Sequence, residues 1–188
     1  MPIMQVHYPV GALDAARKAD LAQRLTDVLI AMEGGADTHG GRAFAWVMFT
    51  PVATGDWWVG GGQDDAYVAP PGRFLVHVTV PEGYMNVAHK TEVHRWVNDA
   101  ICAATGTPDS GGTGAGGSVL VVIDEVPEGN WGCAGKTISL ATIAQTVGQR
   151  SDGERVAWSR KYFAAKRRAY DEAGFPAETA GIWPVVEQ

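Results

Sequence analysis

The chain of 188 residues repeats one order of secondary structure, and this repetition constrains the fold more than any other feature. A strand pattern at residues 3–8, a helical pattern and a second strand pattern at 44–50 form a βαβ unit. The same order returns as a strand at 74–80, a helical pattern and a very apolar strand at 119–123. Two copies about 72 residues apart predict an internal duplication, which is too few repeats for a solenoid.

Both predicted helices carry the same boundary signals. Asp14 precedes the first helix and Asn86 precedes the second, and side chains of these types accept hydrogen bonds from the free amides of a helix N-terminus. Glycine, which ends helices readily, follows each of them (Gly34, Gly35 and Gly106). Each unit then closes with a related phrase, GDWWVGG in the first and GNWGCAG in the second.

The pattern changes after Gly148. The stretch SDGERVAWSRKYFAAKRRAYDEAGF predicts an amphipathic helix that ends near Gly174 and Pro176. Its aromatic side chains need an apolar surface, so we expect it to pack on the body or on a neighbouring subunit. The predicted organisation is therefore a first βαβ unit at 2–62, a second at 73–148 in the same domain, and a C-terminal helical extension at 150–188.

Composition and charge exclude several classes of partner. The net charge of -6 and a pI of about 5.3 argue against nucleic acid binding. No apolar run has membrane-spanning length and the first residues lack a signal-peptide pattern, so we expect a cytoplasmic protein with no membrane partner. Cys102 and Cys133 have no zinc-type spacing, and we predict neither a metal nor a cofactor.

One glycine-rich stretch offers a competing interpretation. NWGCAGKT follows an apolar strand and precedes a helical pattern, as a phosphate-binding loop would. Its spacing misses that motif by one residue, because Asn130 stands where the pattern requires glycine. The bulky Trp131 also occupies a position where backbone amides would surround phosphates, so nucleotide binding is the weaker interpretation.

Pro2 is the first candidate for chemistry, because it directly follows Met1. Removal of Met1 would leave a secondary amine at the amino terminus, and an amine of this kind titrates near the pH at which a general base works best. The structural alternative is that strands often begin with proline, where no donor to the ladder is needed. Intact mass spectrometry would decide whether Met1 is removed.

The sequence PIMQVHY, followed by Gly11 and Asp14, resembles the start of proteins in the tautomerase superfamily (4-oxalocrotonate tautomerase-like). Two βαβ units and the phrase WWVGG before a second unit that begins FLVHV resemble its fused members, the group of cis-3-chloroacrylic acid dehalogenase and malonate semialdehyde decarboxylase. The resemblance covers roughly residues 2 to 148.

This resemblance implies an α+β fold in which a tandem βαβ repeat forms a four-stranded mixed sheet with two helices on one face, as in MIF-like proteins, plus the C-terminal helix. It also implies a homotrimer with Pro2 in a pocket and chemistry that needs no cofactor. A ferredoxin-like dimer is left open, because two βαβ repeats also describe that fold.

The chain departs from the family at the positions that bind and activate substrate. Arginines that hold a carboxylate in the family match other residue types here, and so do its catalytic histidine, tyrosine and glutamate. These positions hold Pro81, Tyr84, Trp46, Leu120, Leu29, Val122 and Cys133. The chain therefore lacks the residues that support dehalogenation, hydration and decarboxylation. Proton transfer on a less charged carbonyl compound does not require those residues.

The resulting prediction is a tautomerase-type isomerase in which Pro2 is the general base for keto–enol or double-bond isomerisation of a small carbonyl compound. The resemblance implies a pocket lined by Tyr84, Trp46, Trp57 and Trp131. The alternative is a non-catalytic trimeric relative that binds a small molecule or has a structural role.

Overall fold

A computed structural model of the chain describes residues 2–34, 37–108, 115–148, 153–176 and 179–181. Its centre is a four-stranded sheet with the order β2-β1-β3-β4. The strands are β1 (Ile3–Pro9), β2 (Trp46–Val52), β3 (Phe74–Pro81) and β4 (Val119–Val126). β1 and β2 are parallel, β3 and β4 are parallel, and the central pair β1 and β3 is antiparallel. The predicted mixed sheet is confirmed.

One long helix joins each parallel pair of strands. These helices are α1 (Ala15–Met32) and α3 (Val87–Thr105). The predicted caps are both present, because the Asp14 side chain accepts from the amide of Arg17 at 2.8 Å and the Asn86 side chain accepts from the amide of His89 at 2.9 Å. Gly106 follows α3 with a φ of 71°, a left-handed conformation that glycine adopts without strain.

The core lies between one face of the sheet and the two long helices. Alternate residues of a strand point to opposite faces, so Met4, Val6 and Tyr8 of β1 are buried together with the matching residues of β3. Leu21, Leu25 and the other apolar positions of α1 cover them, as the helical spacing predicted. Cys102 is buried on α3, and Cys133 is exposed.

The opposite face of the sheet is open in the single chain. It carries large apolar side chains on the outer strands, with Trp46 52% and Leu120 62% exposed, and Met48 and Val122 beside them. His77 on β3 lies on the same face and pairs with Asp124 of β4 at 2.9 Å. This face is too apolar to be an ordinary solvent surface.

A short helix, α2 (His39–Phe44), precedes β2 where the sequence predicted a loop and the start of the strand. The Thr38 side chain caps it by accepting from the amide of Gly41 at 2.9 Å. Two glycines in six residues left no apolar periodicity from which to predict it.

The phosphate-loop interpretation is contradicted by a hairpin. β5 (Gly132–Cys133) pairs antiparallel with β6 (Lys136–Thr137). The turn between them has positive φ at both central residues, Ala134 at 51° and Gly135 at 73°. A phosphate loop leads directly into a helix N-terminus, whereas this segment first turns back on itself. α4 (Leu140–Thr146) begins only after the hairpin.

The C-terminal helix, α5 (Glu154–Glu172), packs against the body of the same chain. Phe163 is 2% exposed, and the Tyr162 hydroxyl donates to Glu82 at 2.5 Å. Lys166 also pairs with Glu82. The predicted start of the extension at residue 150 and the end of the chain at 182–188 lie outside the described residues, as does Met1. The domain boundaries stay predictions.

Within the described ranges, no helix combines the length and the apolar character that crossing a bilayer requires.

Candidate functional site

Pro2 is buried in the wall of a small cavity at one end of the sheet. The register of β1 on β3 pairs Ile3 with Thr79, so Pro2 lies beside the last residues of β3. The carbonyl oxygen of Pro2 accepts a hydrogen bond from the amide of Trp46 at 3.4 Å, which anchors it to β2. Because β1 and β3 are antiparallel, the start of β1 lies next to the end of β3.

The cavity has a volume of about 10 Å³, which is room for about one water molecule. Three segments besides Pro2 surround it: the end of β3 with the following turn, the end of α1, and α4. Their lining residues are Val80, Pro81 and Tyr84; Met32 and Glu33; and Leu140, Ile143, Ala144 and Val147. Apart from Pro2, Glu33 and Tyr84, all of these side chains are apolar.

Among the described residues that line the cavity, Glu33 is the one with an acidic side chain. It was not predicted from the sequence. It is the C-cap of α1 and is only 5% exposed. Burial raises the pKa of its carboxyl from the ordinary value of 4.5 to about 7. A helix C-terminus carries partial negative charge, which also disfavours a carboxylate there. The sequence did contain one signal for this residue: Glu33 is acidic, and it stands between the last apolar residue of a helix and a glycine.

Tyr84 follows a turn in which Gly83 has a φ of 71°. Its ring is 6% exposed and forms part of the cavity wall. The guanidinium of Arg155, on α5, lies 5.8 Å from the centroid of that ring, a cation–π arrangement. Within the described residues, one buried nitrogen of Arg155, Nη1, has no hydrogen-bond partner, and Arg155 is not among the residues that line the cavity.

α4 covers the cavity and is held at both ends. At its N-terminus both carboxylate oxygens of Glu128 accept from the amide of Leu140 at 3.1 Å, and Glu128 is 2% exposed. Burial raises the pKa of Glu128. Beyond its C-terminus the hydroxyl of Thr38 donates to the carbonyl of Val147 at 3.3 Å. α4 therefore forms one fixed wall of the cavity that contains Pro2.

The three predicted tryptophans lie away from this cavity in the single chain. Trp46 is exposed on the open sheet face, where its indole nitrogen donates to the carbonyl of Ala43 at 3.0 Å. Trp57 is half-buried in the loop after β2. Trp131 is buried between β4 and β5, and within the described residues its indole nitrogen has no partner. Contact of these side chains with a substrate stays a prediction.

The arrangement brings two of the predicted site residues, Pro2 and Tyr84, together with Glu33. Among the lining residues that the structure describes, there is no lysine, arginine or histidine. The described lining of the cavity is therefore apolar apart from two ionisable side chains, Glu33 and Tyr84.

Comparison with known proteins gives matches in structure alone. No protein-family profile matches the chain, and no curated protein sequence does. Q0, a wild-type fused 4-OT solved as a symmetric trimer, is similar with a TM-score of 0.57 and 23% identity, over 74% of this chain and 97% of its own. N1, a member of the cis-3-chloroacrylic acid dehalogenase family, has a TM-score of 0.58 and 18% identity, over 91% of this chain and 96% of its own.

The macrophage migration inhibitory factor of Toxoplasma gondii is also similar, with a TM-score of 0.54 and 11% identity, over 72% of this chain and 99% of its own. These likenesses establish the architecture: the chain has the tautomerase-superfamily fold with two fused βαβ units. The predicted fold class is confirmed.

Proposed function

We propose that this chain, which has the tautomerase-superfamily fold, is an isomerase of a small carbonyl compound and that Pro2 is its general base. The observation that carries the proposal is the burial of Pro2 in an apolar cavity at the end of the sheet. Once Met1 is removed, the ring nitrogen of Pro2 has a lone pair and a fixed orientation. No cofactor is needed for such proton transfer.

In the proposed reaction, the nitrogen of Pro2 takes a proton from the carbon next to the carbonyl. The electron pair of that bond forms a C=C bond, and the electrons of the C=O double bond move onto oxygen, which gives an enolate. The protonated Pro2 then returns its proton to that oxygen, which gives the enol, or to another carbon of a conjugated compound, which gives a shifted double bond. When α4 closes over the site, water is excluded. The lower polarity favours the uncharged form of the Pro2 amine. It also strengthens electrostatic interactions with the charge that develops on the substrate during the reaction.

We further propose that the active form is a homotrimer. Two observations support this assembly: the open sheet face carries exposed apolar side chains, and the similar fused 4-OT proteins Q0 and F6 were solved as trimers. In such an assembly we propose that Trp46, which is exposed on the open sheet face, and the half-buried Trp57 contribute to the substrate contacts of a neighbouring copy.

A second candidate is a non-catalytic relative that binds a small apolar molecule. The apolar walls of the cavity favour this alternative, as does the absence of lysine, arginine and histidine among its described lining residues. It predicts binding that does not depend on the amine of Pro2.

The test begins with intact mass spectrometry, which should show that Met1 is absent. Exchange of the benzylic protons of phenylacetone and phenylpyruvate with D₂O is then followed by NMR for wild type and Pro2→Ala. General bases contribute about 10² to 10⁴ in rate, so we expect kcat/KM to fall about 100-fold for Pro2→Ala. Pro176→Ala, at an exposed proline after α5, is the matched control and should behave as wild type.

Equal rates for wild type and Pro2→Ala, or retention of Met1 on an active protein, would contradict the proposed base. Binding of phenylacetone, seen as line broadening, without any exchange above the buffer rate would favour the non-catalytic alternative.

A further inference from the structure

The turn that carries Tyr84 into the cavity wall is contacted by the C-terminal helix α5. We call Glu82, Gly83 and Tyr84 the Tyr84 turn. The hydroxyl of Tyr162 donates a hydrogen bond to the Glu82 carboxylate at 2.5 Å, and Lys166 forms an ion pair with the same carboxylate oxygen. Both of these side chains belong to α5, so one helix holds the first residue of the turn with two polar contacts.

The middle of the turn lies directly against the same helix. A Cβ atom added to Gly83 would overlap the ring of Tyr162, and it would lie 3.0 Å from the ring of Phe163. Phe163 is 2% exposed and belongs to the hydrophobic core. Because α5 is anchored in the core at this point, its surface fixes how far the turn can extend outwards.

The sheet holds only the start of the turn. β3 ends at Pro81, and the last ladder contact is the amide of Glu82, which donates to the carbonyl of Val126 at 2.9 Å. The ring of Tyr84 is 6% exposed and lies beyond the ladder, where the guanidinium of Arg155 on α5 stands 5.8 Å from the ring centroid. The position of this ring therefore depends on α5 as well as on the sheet.

The polar contacts to Glu82 are strong ones because they are largely shielded from water. The side chains of Glu82 and Lys166 are 14% and 17% exposed. A carboxylate so far removed from water is costly unless an opposite charge and a hydrogen-bond donor compensate it. Burial and the hydrogen bond to Glu82 raise the pKa of the Tyr162 hydroxyl, so it remains protonated and continues to donate at neutral pH.

We propose that Lys166 and Tyr162 are positioning residues: through Glu82 they hold the Tyr84 turn, and they thereby set the place of the Tyr84 ring in the cavity wall that the substrate contacts. This inference rests on the proposed function, because it gives α5 a part in substrate binding at that site. Neither positioning residue is among the described residues that line the cavity, so both act through the turn.

The test is exchange of the benzylic protons of phenylacetone, or of phenylpyruvate if the wild type prefers it, measured by NMR in D₂O at a series of concentrations. Lys166→Met keeps the apolar stem and removes the charge. We expect KM to rise about tenfold, the scale of one lost hydrogen bond to a charged group, while kcat is unchanged. A role in stability alone would lower the apparent kcat through a smaller folded fraction and would leave KM unchanged.

Two further variants serve as matched controls for this change. Lys166→Arg keeps a positive charge that can pair with Glu82 and should return KM to near the wild-type value. Lys161→Met is the same substitution at an exposed position of α5, and it should keep both kcat and KM of the wild type.

A double-mutant cycle tests whether Lys166 acts through Tyr84. Tyr84→Leu removes the ring whose position is at issue. We expect Lys166→Met to raise KM in the wild-type background and to have no further effect on KM in the Tyr84→Leu background. Equal effects in the two backgrounds would overturn the proposed route through the turn.

The outcomes separate this inference from the function on which it rests. Exchange that depends on Pro2, with KM unchanged by Lys166→Met, would overturn the positioning role and leave the base intact. No exchange of either probe by the wild type would overturn both. If Lys166→Met fails to fold, Tyr162→Phe removes one hydrogen bond and keeps the ring, and an unchanged KM in that variant would count equally against the proposal.

Discussion

At the scale of single residues, Glu33 shows how burial links a functional group to stability. A carboxyl whose pKa is about 7 in the folded chain and near 4.5 when unfolded binds more protons in the folded state between those two values. The free energy of unfolding then decreases as pH rises through that window. The group is favourable for folding only while it is protonated.

We therefore predict that raising the pH from 4.5 to 7.5 destabilises the wild-type chain relative to Glu33→Gln. The shift in pKa corresponds to a difference of roughly 3 kcal/mol between the two ends of the window. Thermal unfolding of both proteins at a series of pH values measures it. Glu128, whose pKa is also raised by burial, contributes equally to both proteins and cancels in the comparison.

In the same experiment Glu92→Gln should follow the wild-type pH dependence. A wild-type protein whose stability relative to Glu33→Gln does not change with pH would show that Glu33 is not buried as described.

At the scale of elements, α4 forms a wall of the cavity beside Pro2 and lies close against α2. A Cβ atom added to Gly40 of α2 would lie 2.5 Å from the carbonyl oxygen of Thr146 at the end of α4. Real Cβ atoms do not approach backbone oxygen so closely, so one helix must shift. The glycine is therefore required by packing rather than by its backbone angles.

We predict that Gly40→Ala destabilises the chain by about 1 to 3 kcal/mol, the usual range for overpacking, and loosens α4. Denaturant unfolding measures the stability, and faster hydrogen exchange in residues 140–147 reports the loosening. Gly55→Ala is the matched control, because a Cβ atom there meets nothing within 4 Å. Unchanged exchange in α4 would mean that α2 does not hold it.

At the scale of the whole molecule, the described part of the chain leaves apolar side chains exposed on the open face of the sheet. Trp46, Met48, Leu120 and Val122 lie on it in two outer strands. Exposed patches of this kind in soluble proteins usually mark an interface. Burial of a leucine side chain is worth about 2 kcal/mol, so one charge placed there should weaken association strongly.

We predict that the wild-type chain has the mass of three copies in size-exclusion chromatography with light scattering and that Leu120→Asp shifts it to single copies. Val87→Asp changes an apolar residue at the start of α3 that is even more exposed than Leu120, and this variant should stay trimeric. A wild-type protein with the mass of one or two copies would contradict the trimer.

Much of this molecule could be predicted from the sequence because the signals are local. Apolar spacing in β1, α1, β3 and α3 reports which face of each element is buried, and Asp14 and Asn86 cap their helices through contacts three residues away. The register of β1 on β3 then places Pro2 beside the end of β3.

The tertiary structure decided which residues line the cavity. Glu33 is an ordinary helix-end residue in the sequence, and in the fold it shares a cavity with residues of β3 and of α4, which lies more than 100 residues later in the chain. The same packing leaves Trp46, Trp57 and Trp131 outside the cavity. Periodicity and capping depend on neighbours a few residues apart, whereas burial of a side chain depends on elements that are distant in sequence and meet only on folding.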